Sequence, residues 1–404
     1  MNPVRIAHVA TVDSSLRWLL LNQLTSLRAA GYEVAGISSP GPDVPAIETA
    51  GIRHISVPMA RGMAPLLDLR TLLKLRRVMR RERFTIVHTH TPKAGLLGQL
   101  AARLAGVPLV VNTLHGFYFH EHMPPLARRF YIAIEKIAAS CSDSVLSQNR
   151  EDIQTGLDER IFSPRRIRHL GNGIDLSEFD RARVSPSATA DLRERLGVPR
   201  GAPVVGFVGR LAAKRKGFTD FLEMARGVLE GHPAARFLIV GNPDHGKPDA
   251  VEPAAAQEYG ISAACLFLGQ RPNAELPALY RSMDVLVLPS LFEGIPRVIM
   301  EAAAMGVPSV ATHVKGNREA IVHGRTGLLV PLGDVQALAR AVLDIVGDAA
   351  RARAMGDQAR GLALDRFDER AVFAKVKAEY ARLLSEKGLS DAAGSSLAPE
   401  RLGV

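Results

Sequence analysis

The chain of 404 residues has little cysteine, few aromatic residues and no long apolar run. Its two cysteines, Cys141 and Cys265, provide neither a disulfide framework nor the ligand spacing of a zinc site. The longest apolar stretches, such as residues 18–21, are far too short to span a membrane. The N-terminal residues are too interrupted by polar groups to form a signal peptide. These absences predict a protein of the reducing cytoplasm.

Positive charge is in excess and unevenly distributed. The formal net charge is +10, and residues 51–150 carry 15 lysines and arginines against 5 aspartates and glutamates. A field of this kind attracts nucleic acid, anionic lipid or a phosphorylated ligand. Aromatic residues make up only 5% of the chain, and no groove-reading or base-stacking motif accompanies the charge. No nucleic-acid partner is therefore expected, although a basic nucleic-acid-binding protein stays an alternative that salt-sensitive DNA binding would reveal.

Short β-branched runs alternate with amphipathic stretches along the whole chain. Because apolar strands separated by helices form parallel sheets covered on both faces, the pattern predicts an α/β protein with two doubly wound, Rossmann-like domains. The predicted strands are residues 5–10, 33–37, 52–57, 85–90, 108–113 and 144–147 in the first half, and 203–208, 236–240, 265–268, 285–287 and 308–311 in the second.

The predicted domains are residues 1–185 and 186–365, with a linker at residues 175–189, which are rich in charged and turn-forming side chains. Residues 366–387 have a helical pattern and are expected to pack back towards the first domain, and residues 388–404 are expected to form a flexible tail. Ligands of doubly wound sheets bind at the carboxyl ends of the strands. Two such domains facing each other would form a cleft for a substrate.

The segment Ser290–Ala302 carries the sharpest functional signal. It follows a predicted apolar strand, and Gly294 and Pro296 favour a tight turn into a helix. The backbone N–H groups of Gly294 and Ile295 would then point out of a helix N-terminus, where anions bind. Glu301, further along that helix, has the acceptor oxygens for two vicinal hydroxyls of a ribose. A glutamate near a helix N-terminus also complements the helix dipole, so spacing alone leaves both interpretations open.

A second segment, Gly209–Gly217, carries several cations at the end of a predicted strand. Arg210 and Lys216 flank the loop, and Lys214 and Arg215 lie between them. Cations at the carboxyl end of a parallel strand suit a pyrophosphate, with arginine giving a forked contact and lysine a point charge. A solvated basic loop is the alternative interpretation.

Together the two segments resemble retaining glycosyltransferases of family 4, which have the two-domain GT-B fold. The resemblance rests on Gly209-Arg210 with Lys216-Gly217, and on Glu293 and Glu301 separated by seven residues. Further matching segments are residues 114–116, 171–175, 276–280 and 324–330. The resemblance extends from residue 4 to about residue 385. Within the family, residues 10–17 and 88–95 are similar to those of bacterial capsule and exopolysaccharide transferases.

The resemblance implies a role for each matching residue. Arg210 and Lys216 would hold the donor diphosphate and offset the charge that builds on the leaving nucleotide. Glu301 would bind the ribose hydroxyls, Glu293 would contact the donor sugar, and His115 would lie beneath that sugar. The other members of the implied nucleotide-sugar site are Gly209, Gly269, Gln270, Arg271, Gly294, Ile295 and, at the floor between the domains, Asn172.

The reaction implied by the resemblance is glycosyl transfer with retention of anomeric configuration. The acceptor would attack from the front face through an oxocarbenium-like state, so that no enzyme carboxylate need act as nucleophile. The family uses no metal, and the sequence has no Asp-x-Asp motif, which agrees with that expectation. No cofactor is implied beyond the nucleotide-sugar, which is a co-substrate.

The first strand-to-helix loop departs from the family pattern. Many members have a Gly-Gly pair there, whereas residues 10–17 of this chain contain no glycine. Asp13, Ser14 and Arg17 are therefore expected to contact the acceptor or a phosphate in a different way.

Two histidines, His88 and His90, stand on either side of Thr89 in the fourth predicted strand. They are expected to face opposite sides of the sheet and so not to bind one metal ion together. His90 ends the strand and is expected to line the cleft as part of the acceptor site.

The segment Leu66–Arg83 interleaves arginine and lysine with leucine and valine. As a helix it would have an apolar face and a basic face, the arrangement of helices that lie on a membrane surface. The side chains expected at an anionic surface are Arg70, Lys74, Arg77 and Arg81. This interpretation would place the protein on the inner face of the plasma membrane, where relatives often extend lipid-linked acceptors. A packed helix with a solvated basic back is the alternative.

The motifs specify neither donor nor acceptor. A UDP-sugar is preferred over a GDP-sugar only because it is the commoner donor in the family, and the sugar remains open among glucose, galactose and the N-acetylhexosamines. The implied acceptor is a glycan or lipid-linked sugar of cell-surface polysaccharide biosynthesis. Another GT-B enzyme is the alternative: a nucleotide-sugar epimerase would need no acceptor, and a retaining phosphorylase would usually need pyridoxal phosphate, for which the chain has no recognisable lysine motif. The oligomeric state is not indicated.

Overall fold

A computed structural model describes residues 3–120, 123–245 and 247–389. The chain divides into two compact units: the N-terminal unit comprises Met1–Leu170 and Val372–Val404, and the C-terminal unit comprises Gly171–Ala371. The sequence predicts these divisions after residues 185 and 365. The tail expected at residues 388–404 lies, from residue 390 onward, outside the described residues.

Seven parallel strands form the sheet of the N-terminal unit, in the order β3-β2-β1-β4-β5-β6-β7. The strands are β1 (Arg5–Val12), β2 (Glu33–Ser39), β3 (Arg53–Ser56), β4 (Ile86–Thr89), β5 (Leu109–Leu114), β6 (Ser144–Ser147) and β7 (Ile167–His169). The helices are α1 (Asp13–Ser15), α2 (Leu21–Ala29), α3 (Val44–Thr49), α4 (Pro65–Glu82), α5 (Pro92–Ala105), α6 (Pro125–Ser140) and α7 (Arg150–Asp158), with a π-helical segment at Leu16–Leu20.

Six parallel strands form the sheet of the C-terminal unit, in the order β10-β9-β8-β11-β12-β13. The strands are β8 (Val204–Val208), β9 (Arg236–Val240), β10 (Cys265–Gly269), β11 (Val285–Leu288), β12 (Ser309–Thr312) and β13 (Gly327–Val330). The helices are α8 (Pro186–Arg195), α9 (Phe218–Gly231), α10 (Leu276–Arg281), α11 (Arg297–Ala304), α12 (Lys315–Ala320), α13 (Val335–Val346) and α14 (Ala349–Arg366), with short 3₁₀ helices at Arg181–Arg183, Pro253–Gln257, Ser262–Ala264 and Asn273–Glu275. The last helix, α15 (Glu369–Glu386), has only its first three residues in this unit.

Both sheets are those of doubly wound α/β domains, so the predicted fold class is confirmed. Every residue of β5 and of β8 is buried, as expected for central strands covered by helices on both faces. The sequence does not predict β7 or β13. β7 has only three residues, too few for a hydrophobic period to show, and β13 begins with a glycine, a residue that is depleted in strands.

The predicted linker at residues 175–189 is instead an ordered part of the C-terminal unit. The carboxylate of Asp175 accepts hydrogen bonds from the backbone N–H groups of Ser177 and Glu178. Phe179 is buried in the apolar core, and Ser185 caps the first turn of α8. The charged and turn-forming composition therefore marks a capped surface turn rather than a free connection.

The last helix, α15, begins in the C-terminal unit and continues into the N-terminal unit. From Val372 onward its apolar side chains join a core that includes Ile6 of β1 and Val111 of β5. Tyr380 lies in the middle of this stretch and is fully buried. The helix thus brings a phenol hydroxyl from the end of the chain beneath the first sheet.

In each sheet the strand order reverses beside the first strand. β2 and β3 lie on one side of β1 and β4 on the other, just as β9 and β10 lie on one side of β8 and β11 on the other. Loops that leave such neighbouring strands at their carboxyl ends diverge, and the crevice between them is where doubly wound sheets bind ligands. The loops after β1 and β4, and after β8 and β11, are therefore the places where a site is expected.

Candidate functional site

The two segments with the sharpest sequence signals meet at the carboxyl ends of β8 and β11. Lys216, in the loop after β8, forms an ion pair with Glu293, in the loop after β11. The side chains are 17% and 10% exposed. Gly217 next to the lysine has a φ of +65°, and a Cβ there would lie 2.0 Å from the carbonyl oxygen of Pro289. The close backbone approach and the ion pair together hold the two loops side by side.

Arg210 is paired with a carboxylate that the sequence analysis does not predict. Its guanidinium binds Asp244, in the loop after β9, and the carboxylate is almost buried while the arginine is more exposed. The backbones of the two loops touch, because a Cβ on Gly241 would lie 1.9 Å from the carbonyl oxygen of Gly209. Only glycine fits there, and Gly209 and Gly241 directly follow the last residues of β8 and β9.

The loop after β11 leads directly into a helix, as the sequence predicts. Pro296 is the N-cap of α11, which begins at Arg297. Gly316 packs against this loop so closely that a Cβ would lie 1.6 Å from the carbonyl oxygen of Gly294. The side-chain amide of Asn172 donates to the carbonyl oxygen of Ile295 at 2.9 Å. Neighbouring segments of the same unit thus fix the backbone that the sequence predicts to receive an anion.

Glu301 is buried in α11, with only 6% of its surface exposed. The hydroxyl of Tyr280 donates to its Oε2 at 2.8 Å, and Nε of Arg297 lies 3.5 Å from its Oε1. Burial, followed by the charge of Glu301, raises the pKa of Tyr280 well above its usual value, so the phenol stays protonated and donates. Because Glu301 is the fifth residue of α11, it lies beyond the first turn where a dipole effect is appreciable.

The third predicted segment, residues 269–271, lies at the end of β10, on the edge of the sheet. Gly269 has a φ of +68°, and the backbone N–H of Gln270 donates to Oδ1 of Asn242 at 3.2 Å. Arg271 is exposed and lies 3.7 Å from Glu275. This segment is therefore two strands away from β8, and the Asn242 amide links it to the loop that carries Asp244.

In the N-terminal unit, four histidines lie together at the corresponding reversal of strand order. The prediction that His88 and His90 face opposite sides is wrong, because residues two apart on a strand share a face. Their rings stack with centroids 4.4 Å apart, and His8 of β1, in register with His88, lies beside both. The ring nitrogens of these three histidines that could bind a metal all lie within 4.8 Å of one another.

These histidines are linked by hydrogen bonds into a set that we call the histidine network. Its members, in order of contact, are Thr113, His88, Tyr380, His8, His90 and His115. The distances between successive polar atoms are 2.7 Å from Thr113 Oγ1 to His88 Nε2, 2.5 Å from His88 Nδ1 to the Tyr380 hydroxyl, 3.4 Å from that hydroxyl to His8 Nε2, 2.9 Å from His8 Nδ1 to His90 Nε2, and 3.1 Å from His90 Nδ1 to His115 Nε2.

Burial keeps the imidazoles of the histidine network neutral. It lowers the pKa of His8 to about 3 and that of His115 to about 4, and it lowers the pKa values of His88 and His90 well below the usual one. His90 is only 1% exposed and both of its ring nitrogens are hydrogen-bonded, so the acceptor contact expected of it has no polar atom to use. His115 is partly exposed and is the end of the network nearest the surface.

The loop after β1 is held by its own polar side chains. Asp13 is buried, and its Oδ2 accepts from the backbone N–H of Asp43 at 2.8 Å, so this carboxylate fixes the loop after β2. Ser14 is partly buried, and the guanidinium of Arg17 lies 5.0 Å from the ring of Trp18. Among the three residues predicted for the acceptor, Asp13 therefore has a structural partner that the sequence does not reveal.

Helix α4 carries the predicted basic segment. It packs on the sheet through Thr71, Leu75, Val78, Met79 and Glu82, which are buried. Arg70, Lys74, Arg77 and Arg81 are exposed, as predicted for a surface helix. Four leucines, Leu66, Leu67, Leu69 and Leu73, are also exposed, at 81%, 38%, 55% and 54%. Within the part of the chain that the structure describes, no helix combines the length and apolarity needed to cross a membrane.

Two family models match the chain. The model described as Glycosyltransferase Family 4 matches residues 18–178, and the model described as Glycosyl transferases group 1 matches residues 202–348. The first match lies within the N-terminal unit and the first residues of the C-terminal unit, and the second lies wholly within the C-terminal unit.

Curated relatives match most of the chain. The chain is 30% identical over 352 residues, 85% of its length and 88% of the relative's, to an Escherichia coli protein named UDP-Gal:alpha-D-GlcNAc-diphosphoundecaprenol alpha-1,3-galactosyltransferase. It is 26% identical over 400 residues, 96% of its length and 99% of the relative's, to the capsular polysaccharide biosynthesis glycosyltransferase CapM of Staphylococcus aureus.

Solved structures with the GT-B fold are also similar. The Anabaena protein HepE, solved in complex with UDP and glucose, matches with a TM-score of 0.79 and 22% identity over 94% of this chain and 99% of that chain. WaaG, a glycosyltransferase involved in lipopolysaccharide biosynthesis, matches with a TM-score of 0.72 and 16% identity over 92% and 98%. At these identities the likeness shows the fold alone.

Proposed function

The chain belongs to glycosyltransferase family 4 and has the GT-B fold, and from this premise we propose that it transfers a hexose or N-acetylhexosamine from a UDP-sugar to a glycan or lipid-linked acceptor. The Escherichia coli relative is named for transfer from UDP-Gal to a diphosphoundecaprenol-linked sugar, and HepE was solved with UDP and with UDP-glucose. These names support a uridine donor and a lipid-linked acceptor as the first candidates to test.

The observation that carries the proposal is the ion pair between Lys216 and Glu293. It joins the two loops at the strand reversal of the C-terminal unit, where a ligand of this fold binds. Arg210 lies in the same loop, so two cations stand at the carboxyl end of β8. We propose that the donor diphosphate takes the place of carboxylate oxygens as their partner. Glu301 binds the ribose, and the backbone of Gly294 and Ile295 holds phosphate or sugar oxygens.

The proposed reaction retains the anomeric configuration and needs no metal. The bond between the anomeric carbon and the diphosphate oxygen breaks, and its electron pair stays on the diphosphate. The acceptor hydroxyl oxygen forms the new bond on the same face, and its proton passes to the leaving diphosphate. Arg210 and Lys216 stabilise the charge on that diphosphate, the task for which other enzymes use a divalent cation. Glu293 and His115 contact the donor sugar.

The proposal is tested first by nucleotide binding. UDP and UDP-sugars at about 100 times their dissociation constant are expected to stabilise the protein by about 2.7 kcal/mol, with and without EDTA, whereas GDP and GDP-sugars are expected to leave the melting temperature unchanged. A thermal-shift screen measures both. Stabilisation by GDP-sugars alone would exclude the uridine donor, and a shift abolished by EDTA would exclude metal independence. Hydrolysis or epimerisation of the donor without transfer to any acceptor would favour another GT-B enzyme.

We further propose that α4 places the protein on the anionic inner face of the plasma membrane. Its exposed leucines stand in the first three turns, and its exposed cations continue along the helix into the last turn. Leucine side chains enter the boundary of the acyl chains, and lysine and arginine bind anionic headgroups. The buried face of α4 is separate, so the outward leucines are not needed for packing.

Replacing Arg70, Lys74, Arg77 and Arg81 by glutamine is expected to weaken binding to vesicles of anionic lipid by about two to three orders of magnitude, since each such cation contributes about 1 kcal/mol near an anionic surface. Vesicle co-sedimentation measures the partition. The matched control replaces four exposed arginines of the C-terminal unit by glutamine and should leave most of the vesicle binding intact. These are Arg226, Arg340, Arg353 and Arg366. Equal losses of vesicle binding in the two variants would show that binding depends only on net charge. The proposal that α4 binds the membrane would then be rejected.

A further inference from the structure

The C-terminal unit contains a cavity of about 560 Å³ whose lining shares no residue with the proposed donor site. Arg181, Arg281 and Arg360 line it, together with the carboxylate of Asp357. Three guanidinium groups around one cavity repel one another unless anions lie between them. The partners of these arginines therefore determine whether the cavity holds unpaired positive charge.

Arg281, the last residue of α10, has no carboxylate partner among the described residues. Its one hydrogen bond to them runs from Nη1 to the carbonyl oxygen of Met305 at 3.3 Å, and its Nε is buried without an acceptor there. Burial, followed by the charge of Arg181, lowers the pKa of Arg281 more than the charge of Asp357 raises it. Because a guanidinium has several N–H groups, Arg281 has both unused donors and an unbalanced charge.

The other two arginines form ion pairs that are partly exposed. Arg181 binds Asp357, whose side chain is 63% exposed. Nη2 of Arg360 lies 3.5 Å from Oδ1 of Asp180, and in the described part of the chain its buried Nε has no acceptor. Ion pairs at the surface contribute little to stability. Asp357 can therefore turn out to solvent at little cost, and Arg181 and Arg281 then present two positive charges.

Helix ends on two sides fix the position of the cavity. Ser185, the N-cap of α8, and Pro186, its first residue, both line it, so the partial positive charge of this helix N-terminus adds to that of the arginines. On the other side, Arg281 holds Met305 at the carboxyl end of α11. The eight residues of α11 span about 12 Å and separate this end from the loop after β11. A ligand in the cavity would thus leave that loop free for the donor.

Size and lining indicate the class of ligand. A volume of about 560 Å³ is within the range of pockets that bind small organic molecules. Arginine binds phosphate oxygens in pairs, and two unpaired arginines balance the charge of a phosphate monoester dianion. Val184 and Pro186 provide an apolar surface beside the cations. The lining therefore suits a phosphate group that carries an organic part better than it suits a free phosphate ion.

We propose that this cavity, which we call the arginine pocket, is a second anion site that binds a small phosphate monoester through Arg181 and Arg281. Arg281 keeps its bond to Met305 through Nη1 and binds phosphate oxygens with its remaining N–H groups. Arg181 exchanges the carboxylate of Asp357 for the phosphate, and the organic part of the ligand lies against the apolar surface. The proposal goes beyond glycosyl transfer and does not depend on it.

A purely structural role for the arginines is the competing interpretation. Arg281 holds the carboxyl end of α11, and Arg181 joins the turn before α8 to Asp357 of α14. The unused donors of Arg281 favour a ligand, since a structural contact to Met305 needs only Nη1. Removal of the Asp357 charge distinguishes the two interpretations. A structural role predicts only a loss of stability, whereas a ligand site loses a competitor and binds its ligand more tightly.

The test is isothermal titration of the full-length protein with phenyl phosphate, in the presence of saturating UDP to occupy the donor site. One phenyl phosphate is expected to bind per chain, more tightly than inorganic phosphate, and phenol is expected not to bind. Arg281→Gln should weaken phenyl phosphate binding by about 10- to 100-fold, the contribution of hydrogen bonds to charged groups. Asp357→Asn should strengthen it by up to about fivefold, because a surface ion pair no longer competes.

The matched control is Arg325→Gln, which should leave the affinity for phenyl phosphate unchanged. Nε of Arg325 lies 3.3 Å from Oε1 of Gln358 on α14, but this exposed arginine does not line the cavity. If Arg281→Gln does not fold, Arg181→Gln replaces it with the same expected loss. The inference is overturned if phenyl phosphate does not bind, if it binds no better than inorganic phosphate, if Asp357→Asn binds it more weakly, or if Arg281→Gln and Arg325→Gln lose affinity equally.

A variant of the proposed donor site separates this inference from the proposed function. Lys216→Ala should bind phenyl phosphate as the wild-type protein does, because Lys216 does not line the arginine pocket. Loss of phenyl phosphate binding in Lys216→Ala but not in Arg281→Gln would place the phosphate in the donor site and reject the arginine pocket. If UDP itself fails to bind, the proposed function is rejected, and a loss confined to Arg281→Gln still assigns phenyl phosphate to the arginine pocket.

Discussion

Lys216→Ala is expected to lower kcat by about 10²–10³-fold, the loss found when one preorganised donor to a developing negative charge is removed. The ammonium group is fixed at the carboxyl end of β8 by its ion pair with Glu293. As the sugar–phosphate bond breaks, negative charge grows on the leaving diphosphate. A fixed cation stabilises that state more than it stabilises the bound donor, so KM should change less than kcat. Steady-state transfer from a labelled UDP-sugar measures both constants.

The control for loop charge is Lys214→Ala. Lys214 stands two residues away in the same loop but is exposed, so its removal should change kcat by no more than about twofold, the usual limit for a surface substitution. The melting temperature of each variant checks the fold. Arg210→Ala should also lower kcat, because it removes the other cation at the carboxyl end of β8.

A second control separates two roles of Lys216, the stabilisation of the diphosphate and the ion pair with Glu293. Lys216→Ala leaves the carboxylate of Glu293 almost buried without its cation, and that alone is destabilising. The double variant Lys216→Ala with Glu293→Gln removes this unpaired charge. If kcat returns towards the wild-type value in the double variant, the lysine serves only its glutamate and the diphosphate role is wrong. If the melting temperature recovers but kcat stays well below that of Glu293→Gln alone, the diphosphate role stands.

The fold was predictable because central parallel strands are buried on both faces and therefore read as apolar runs. The eleven predicted strands all overlap strands of the two sheets, from β1 to β12. What escaped prediction was short or atypical. β7 has too few residues to show a period, and β13 begins with a glycine. The turn around Asp175 has the composition of a linker although Phe179 anchors it in the core.

Only the site residues that lie within short sequence motifs were predictable. The loops after β8 and β11 carry glycines, cations and glutamates at recognisable spacings, so Lys216 and Glu293 could be named from sequence. Their neighbours come from distant segments. Asp244 lies 34 residues from Arg210, and Tyr280 lies 21 residues from Glu301. A single sequence gives no signal for such pairs, since a carboxylate or phenol at a strand end has many ordinary uses.

The histidine network shows a different kind of limit. The period of a strand places His88 and His90 on one face, and that part was available from the sequence. The contribution of His8 follows from the pairing of β1 with β4, which the doubly wound order predicts. Tyr380, in contrast, comes from a helix that follows the second sheet. Only the folded chain shows that its hydroxyl belongs to the histidine network.

Glu301→Gln is expected to weaken UDP binding by about 10- to 100-fold, because hydrogen bonds to a charged acceptor contribute about 1.5–3 kcal/mol. The glutamine keeps the shape of the side chain and an oxygen for the Tyr280 hydroxyl, so the change isolates the carboxylate charge. In the free protein Oε2 accepts from Tyr280 and Oε1 faces Arg297 at 3.5 Å. Isothermal titration with UDP measures the affinity.

The ribose itself provides the decisive control, through titration with 2′-deoxy-UDP. If Glu301 binds the vicinal hydroxyls, the wild-type protein should bind 2′-deoxy-UDP more weakly than UDP. Glu301→Gln should bind the two nucleotides with similar affinity, because the substitution in the protein and the loss of the 2′-hydroxyl from the ligand remove the same interaction. Tyr280→Phe retains the carboxylate but frees Oε2, so it should preserve the discrimination even if it lowers stability. If Glu301→Gln weakens both nucleotides equally and keeps the wild-type preference, the glutamate supports α11 and the ribose lies elsewhere. Because the test compares two ligands within each variant, a loss of folded protein cannot imitate either result.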